Sequence, residues 1–257
     1  MKDSFALHNR TKFHFLRLTR VYLGENALYV VTRNRFHKNR GVDMNIVAVE
    51  EYWSEIVKSR SLPFIGLILR VPPRFWREMS AVQTQLKSID RRQVYAKPST
   101  FHVTIKGLGF LGEKFNESKL ETMFHEIHSM TTSLSPFNIR FKGLRVFPTS
   151  IYVAVEDPSD QLRMLNKMIS DSLGKDIDSS EYDGNAYIPH VTLATFTTKD
   201  ADDLLSKVDT HSMREFDFGE CSVFEVEAVE ASLFFALGPE ETQDRAFGYL
   251  RSFQLGR

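Results

Sequence analysis

From Phe64 onward the chain alternates two textures: short apolar runs, and stretches whose apolar residues recur every three or four positions. The first predicts strands and the second helices. "FIGLILRV" at 64–71 predicts a strand, and "PPRFWREMSAVQTQLKSID" at 72–90 a helix opened by proline. "FHVTIKGLGFL" (101–111) predicts a strand. "SKLETMFHEIHSMTTS" (118–133) predicts a helix in which Ser118 and Glu121 have the spacing of a capping box. A strand pair with "PTS" as its turn follows over 137–156. Next comes a helix over 159–174, capped by Ser159 or Asp160 and stopped at Gly174. Residues 187–196 predict a strand, 198–209 a short helix, and 221–237 and 246–255 a strand-rich close. Residues 1–60 read as an extension, with a strand near 27–34 and an amphipathic helix over 45–59, which leaves 61–257 as the main domain.

Within this pattern one tetrad recurs. "FHVTIKGLG" begins at Phe101 and "IPHVTLATF" at Ile188, so His102 and His190 stand 88 positions apart in the same His-Val-Thr setting. Each half of the main domain runs strand, helix, motif strand, helix. Self-similarity at this scale predicts two similar lobes that face each other.

Side chains on a strand alternate between its faces. Phe101, Val103 and Ile105 are therefore expected on one face of the first motif strand, with His102, Thr104 and Lys106 on the other. In the second copy Val191 and Leu193 oppose His190 and Thr192. Each motif then presents an imidazole and a hydroxyl roughly 7 Å apart along the backbone. Two such strands brought together give two histidines and two hydroxyls in one cleft. That set suits phosphoryl chemistry. One neutral imidazole takes a proton from the nucleophile and one imidazolium gives a proton to the leaving oxygen, while hydroxyls bond phosphate oxygens. With ordinary imidazoles near ~6.5, the rate optimum is expected near neutrality.

Charge adds one asymmetry. The net charge is zero, but residues 1–40 hold nine Lys/Arg against Asp3 and Glu25, a net +7. The densest tract is "TRNRFHKNR" at 32–40. It is read either as an arm for nucleic acid phosphates or as a solvated basic face. The 42% hydrophobic and 26% charged composition is that of an ordinary globular protein. No apolar run is long enough to span a bilayer, and no secretory leader is evident. Cys221, the only cysteine, excludes an intrachain disulfide and a cysteine metal cage. These features fit the cytoplasm, with the nucleus as an alternative, and a monomer is expected.

The remaining candidates are smaller. His125 and His128 lie three apart on a predicted helix, without the His-Glu-x-x-His spacing of zincins or an evident third ligand. "GLGFLG" (107–112) sits inside the motif strand and its exit, so it is not a P-loop. "DIDSSEYDG" (176–184) reads as a loop beside the cleft. Tyr187 is read either as a base-stacking ring at the cleft edge or as strand packing.

The pair "HVTIKGLG" and "PHVTLA" resembles the His-x-Thr motifs of the two-histidine phosphoesterase superfamily, which includes 2′-5′ RNA ligase and RNA 2′,3′-cyclic phosphodiesterase proteins. The resemblance spans about 63–257, with a looser match at the closing "GY" of Gly248. It implies an α+β fold: a bilobal pseudo-twofold duplication, two antiparallel sheets flanking a central cleft, and helices outside. It also implies a phosphodiesterase that opens 2′,3′-cyclic phosphates on RNA ends or nucleotides, with no cofactor and no metal. A 2′-5′ ligase-like activity and a non-catalytic RNA-end reader are the alternatives. By motif position, His102 would be the proton donor and His190 the acceptor, with Thr104 and Thr192 on the phosphate. Two positions depart from the pattern: Gly107 stands where a phenylalanine is usual, and Thr195 where an arginine is common. Lys106, expected beside His102, is read either as restoring the lost positive charge or as a strand-end lysine in solvent.

Overall fold

The computed structural model describes residues 19–23, 26–30, 45–179 and 183–256. The chain divides after Asp43. In the first unit β1 (Thr19–Leu23) and β2 (Asn26–Val30) pair antiparallel, Thr19 opposite Val30 and Leu23 opposite Asn26. The basic tract at 32–40 lies outside the described residues.

The second unit starts earlier than the expected residue 61. Residues 45–48 belong to no helix or strand, Ala48 is extended, and Ile46 and Ala48 are buried in the unit. The Val47 amide donates to the Pro148 carbonyl and the Val49 amide to that of Phe196. A 3-10 turn then leads into α1 (Trp53–Ser61), which buries Ile56. Of the expected helix over 45–59, residues 45–48 are outside any helix, 49–52 form the 3-10 turn and only the part from Trp53 is α-helical, because the first residues are held by neighbouring strand ends rather than by one another.

The remaining elements are β3 (Phe64–Arg70), α2 (Trp76–Ile89), β4 (Val94–Tyr95), β5 (His102–Phe110), α3 (Glu117–Thr132), β6 (Phe137–Phe147), β7 (Ser150–Glu156) and α4 (Gln161–Leu173). After them come β8 (His190–Thr195), α5 (Asp202–Val208), α6 (His211–Arg214), β9 (Asp217–Val223), β10 (Glu225–Ala231), α7 (Leu233–Ala236) and β11 (Phe247–Gln254). Sheet and helices are thus mixed, and every strand pair is antiparallel. The strands follow one path, β11-β10-β3-β5-β8-β7-β6-β9, with β4 on β8. β5 and β8 meet at its middle through a single pair, Val103 with Val191. β9 and β10 are separated only by Phe224, yet β9 ends one side of the path and β10 lies near the other end. Two residue steps reach at most about 7 Å, so the sheet curls.

The long helices carry apolar stripes at spacings of three and four. α2 buries Met79, Val82 and Leu86; α3 buries Leu120, Met123, Phe124 and Ile127; α4 buries Leu162, Leu165, Ile169 and Leu173. Polar residues interrupt all three stripes: Thr131 on α3, and, at matching places, Gln83 on α2 and Asn166 on α4. Caps differ from expectation. Asn116, not Ser118, caps α3: its side chain accepts from the Lys119 amide. On α4 neither Ser159 nor Asp160 caps by its side chain. Asp157 accepts from the Leu162 amide, and Asp160 takes φ 57 to turn the chain in. The glycines at 107 and 109 serve the strand itself. A Cβ on Gly107 would meet the Phe64 ring at 2.8 Å, and Gly109 sits at φ +127, where side chains are strained.

Candidate functional site

β5 and β8 carry the two motifs to the middle of the sheet. Val103 and Val191 are fully buried, and His102, Thr104, His190 and Thr192 are half-buried on the other face. The histidines flank the one residue pair that joins the strands, close enough that His190 lowers the proton affinity of His102.

Both rings are held alike. His102 Nδ1 lies 2.8 Å from the Thr100 carbonyl and His190 Nδ1 2.8 Å from the Ile188 carbonyl, in each case two residues back. A carbonyl only accepts, so each Nδ1 carries the proton and each neutral ring keeps Nε2 as its basic atom. His102 Nε2 is 3.1 Å from Thr104 Oγ1, whose hydroxyl donates in that tautomer. Aromatic rings pack against both imidazoles. Phe247 stands edge-on to His102 at 4.7 Å, and Phe147 and Tyr152 stand at 4.9 and 5.3 Å from His190. Phe147 and Tyr152 stack on each other at 4.1 Å.

This setting disfavours the imidazolium. Burial pushes His102 down to about 4; the charges of His190 and Arg70 act the same way, and the Thr100 carbonyl opposes them. Burial also lowers His190, against the Ile188 carbonyl. Both rings are therefore neutral at pH 7 in the free protein.

The expected substrate roles of Lys106 and Tyr187 do not fit. Alternation fails after Thr104: Ile68 pairs with Thr104 and Leu67 with Lys106, which leaves Ile105 as a bulge. Lys106 is consequently buried, 2.9 Å from the Asp178 carbonyl and 2.5 Å from the Asp183 carboxylate. The 176–184 loop thus supplies its partners, and Lys106 does not replace an absent arginine. Tyr187 is 6% exposed and donates its hydroxyl to the Thr104 carbonyl at 2.8 Å, which leaves no free face for a base. Burial raises its phenol far above the usual range.

His125 and His128 are exposed on α3. Among the described residues no three His, Cys, Asp or Glu side chains group to hold a metal ion. Also among those residues, no helix is long and apolar enough to cross a membrane.

Two arginines near the motifs escape sequence reading. Arg70 on β3 pairs directly with His102, and its guanidinium bonds Glu227 at 2.6 Å. Arg145 on β6 is opposite Tyr152, itself opposite Thr192. Its guanidinium donates to the Leu144 and Arg214 carbonyls at 2.8 Å. Only register, which no local pattern states, brings either to the motif face.

Comparisons with known proteins bear on the family and the fold. The sequence profile described as the 2′-5′ RNA ligase superfamily matches residues 71–231. An "RNA 2′,3′-cyclic phosphodiesterase" of Methanothermobacter thermautotrophicus is 28% identical over 120 residues, which cover 45% of this chain and 61% of that protein. The chain thus spans less than two thirds of that relative's length. A protein of the same name from Aquifex aeolicus is 25% identical over 153 residues, 56% of this chain and 76% of the other. Among solved structures, E. coli LigT complexed with 3′-AMP superposes with a TM-score of 0.56 at 13% identity, covering 76% of this chain and 99% of LigT. The TT0787 protein of Thermus thermophilus gives 0.53 at 17%, covering 75% and 97%. The structural likenesses speak for the fold alone. With the profile spanning well over half of the chain, including both His-x-Thr strands, the protein belongs to the 2′-5′ RNA ligase superfamily of two-histidine phosphoesterases.

Proposed function

We propose that the protein is a metal-independent phosphodiesterase acting on RNA ends or nucleotides, and that it opens 2′,3′-cyclic phosphates. The observation that carries this reading is the matched pair of imidazoles, each with Nδ1–H given to the carbonyl two residues back and Nε2 left as its basic atom. Names of relatives support the substrate class. The order of strands on either side of the β5–β8 junction is compatible with a bilobal duplication, whose cleft would hold the substrate.

In this mechanism His190 Nε2 takes the proton of a water whose oxygen attacks phosphorus. His102 Nε2–H gives its proton to the departing ribose oxygen, and a phosphomonoester results. Thr104 and Thr192 hydroxyls bond the non-bridging oxygens and orient the phosphate. His102 must arrive protonated although burial lowers its affinity, so the bound phosphate anion supplies the countercharge that raises it. The intact histidine pair favours an enzyme over a non-catalytic reader of RNA ends, which has no need of two proton-transfer groups.

The test is turnover of a 2′,3′-cyclic-phosphate dinucleotide in EDTA. Activity is expected to survive the chelator. His102→Ala and His190→Ala are each expected to lose at least about a hundredfold in kcat. The double variant should lose little more than the worse single, because the two groups act as a unit. Full turnover by His102→Ala, abolished by EDTA, rejects the proposal in favour of metal chemistry.

A further inference from the structure

The two amide side chains in the buried helix stripes, Gln83 and Asn166, carry a consequence for the site. Behind each motif threonine the strand bulges at the same motif position. Ile105 is skipped between Thr104 and Lys106 against β3, and Leu193 between Thr192 and Ala194 against β7. A bulged residue leaves the ladder and re-aims its neighbours, and its carbonyl must find partners off the regular ladder; that of Leu193 accepts from the Ala96 amide at 3.0 Å. A buried side-chain amide adds a donor in both copies. Asn166 Nδ2 donates to the Ile105 carbonyl at 2.8 Å, and Gln83 Nε2 to the Leu193 carbonyl at 2.8 Å. Asn166 is 2% and Gln83 3% exposed.

Each amide makes a second bond, to the chain that leads into the other motif. Asn166 Oδ1 accepts from the Gly184 amide at 2.7 Å, six residues before His190. Gln83 Nε2 also donates to the Ala96 carbonyl at 2.8 Å, six residues before His102. The helices cross over in the same sense: α4, which follows β7, reaches β5, and α2, which follows β3, reaches β8. An amide in an apolar stripe loses its hydration and is costly unless bonded. Two such residues at equivalent stripe positions, with equivalent partners, are not explained by core packing alone, which leucine or methionine would serve.

We infer that Asn166 and Gln83 are positioning residues, each tying the bulge behind one motif threonine to the lead-in of the other motif histidine, so that Thr104 is registered to His190 and Thr192 to His102. This rests on the phosphodiesterase reading above. Neither amide is placed on the substrate; both act through the motif strands.

The experiment uses the full chain with Asn166→Leu and Gln83→Met, near-isosteric changes that remove the amide. Each is expected to lower kcat on the cyclic dinucleotide by on the order of tenfold to a hundredfold, with KM changed little. Without substrate, NMR of the threonine methyls and histidine rings should show a crossed pattern. Asn166→Leu moves the Thr104 and His190 signals and spares Thr192. Gln83→Met moves Thr192 and His102 and spares Thr104. Asn166→Ser reads the same pattern if the leucine variant fails to fold. Unchanged kcat with unmoved signals overturns the inference, as does a shift of all four signals alike in both variants, which marks general loosening. Wild-type protein that leaves the dinucleotide intact rejects the functional reading alone, because the resonance pattern is read without it.

Discussion

At the scale of single residues, the motif histidines are set by their immediate surroundings. Ordinary imidazoles predict an optimum near neutrality; burial moves both downward, His102 to about 4. An acid–base pair works between its two titrations, so the kcat/KM optimum of the free enzyme is expected below about 6.5. A profile centred at pH 7 or above would count against these environments. The same depression makes a stability prediction that needs no substrate. Between about 6.5 and about 4 the unfolded chain binds a proton at His102 that the folded chain refuses. Its contribution is full above 6.5 and is lost as pH falls toward 4. Thermal unfolding of wild type and His102→Gln across that window should show the variant losing less Tm on acidification; parallel curves would refute the shift.

Elements show where local pattern competes with context. Ser118 and Glu121 have capping-box spacing, yet the cap falls two residues earlier, because Asn116 offers its side-chain oxygen to the Lys119 amide first. Asn116→Ala is expected to cost about 0.5–2 kcal/mol in denaturant unfolding, and Ser118→Ala much less. The reverse order would restore the capping box. The motif strands make the same point more sharply. Period-two alternation placed His102 and Thr104 together, and the structure agrees. It fails one step later at Lys106, because a bulge adds a residue to β5 without announcing itself in the apolar pattern. Lys106 is then enclosed with Asp183, seventy-seven positions away.

For the whole molecule, the division after Asp43 changes what a truncation should do. Removing 1–43 leaves the second unit with all of its buried residues, so Tm of that unit should hold. If the basic tract meets nucleic acid, the salt dependence of RNA binding should flatten while dinucleotide turnover persists. Removing 1–60 also strips Ile46, Ala48 and Ile56 from the core. Each fully buried isoleucine contributes about 1.5–3 kcal/mol, so this longer deletion should unfold at distinctly lower temperature or not fold at all. Equal stability of the two deletions would put the boundary back near residue 60.

What the sequence determined by itself was the periodic and the repeated: the longer strands and helices between residues 64 and 208 (though not the short β4, α6 and α7), the paired His-Val-Thr tetrads, and the face on which histidine and threonine stand together. These follow from spacing along one element, which a chain carries whatever surrounds it. Tertiary structure decided the rest. The two motif strands meet at Val103 and Val191, Arg70 and Arg145 arrive by register, and Gln83 and Asn166 find carbonyls 110 and 61 residues away. Lys106 and Tyr187 turn from substrate to scaffold. Each of these depends on which strand pairs with which and where a ladder slips, and such long-range pairings leave no mark on local periodicity.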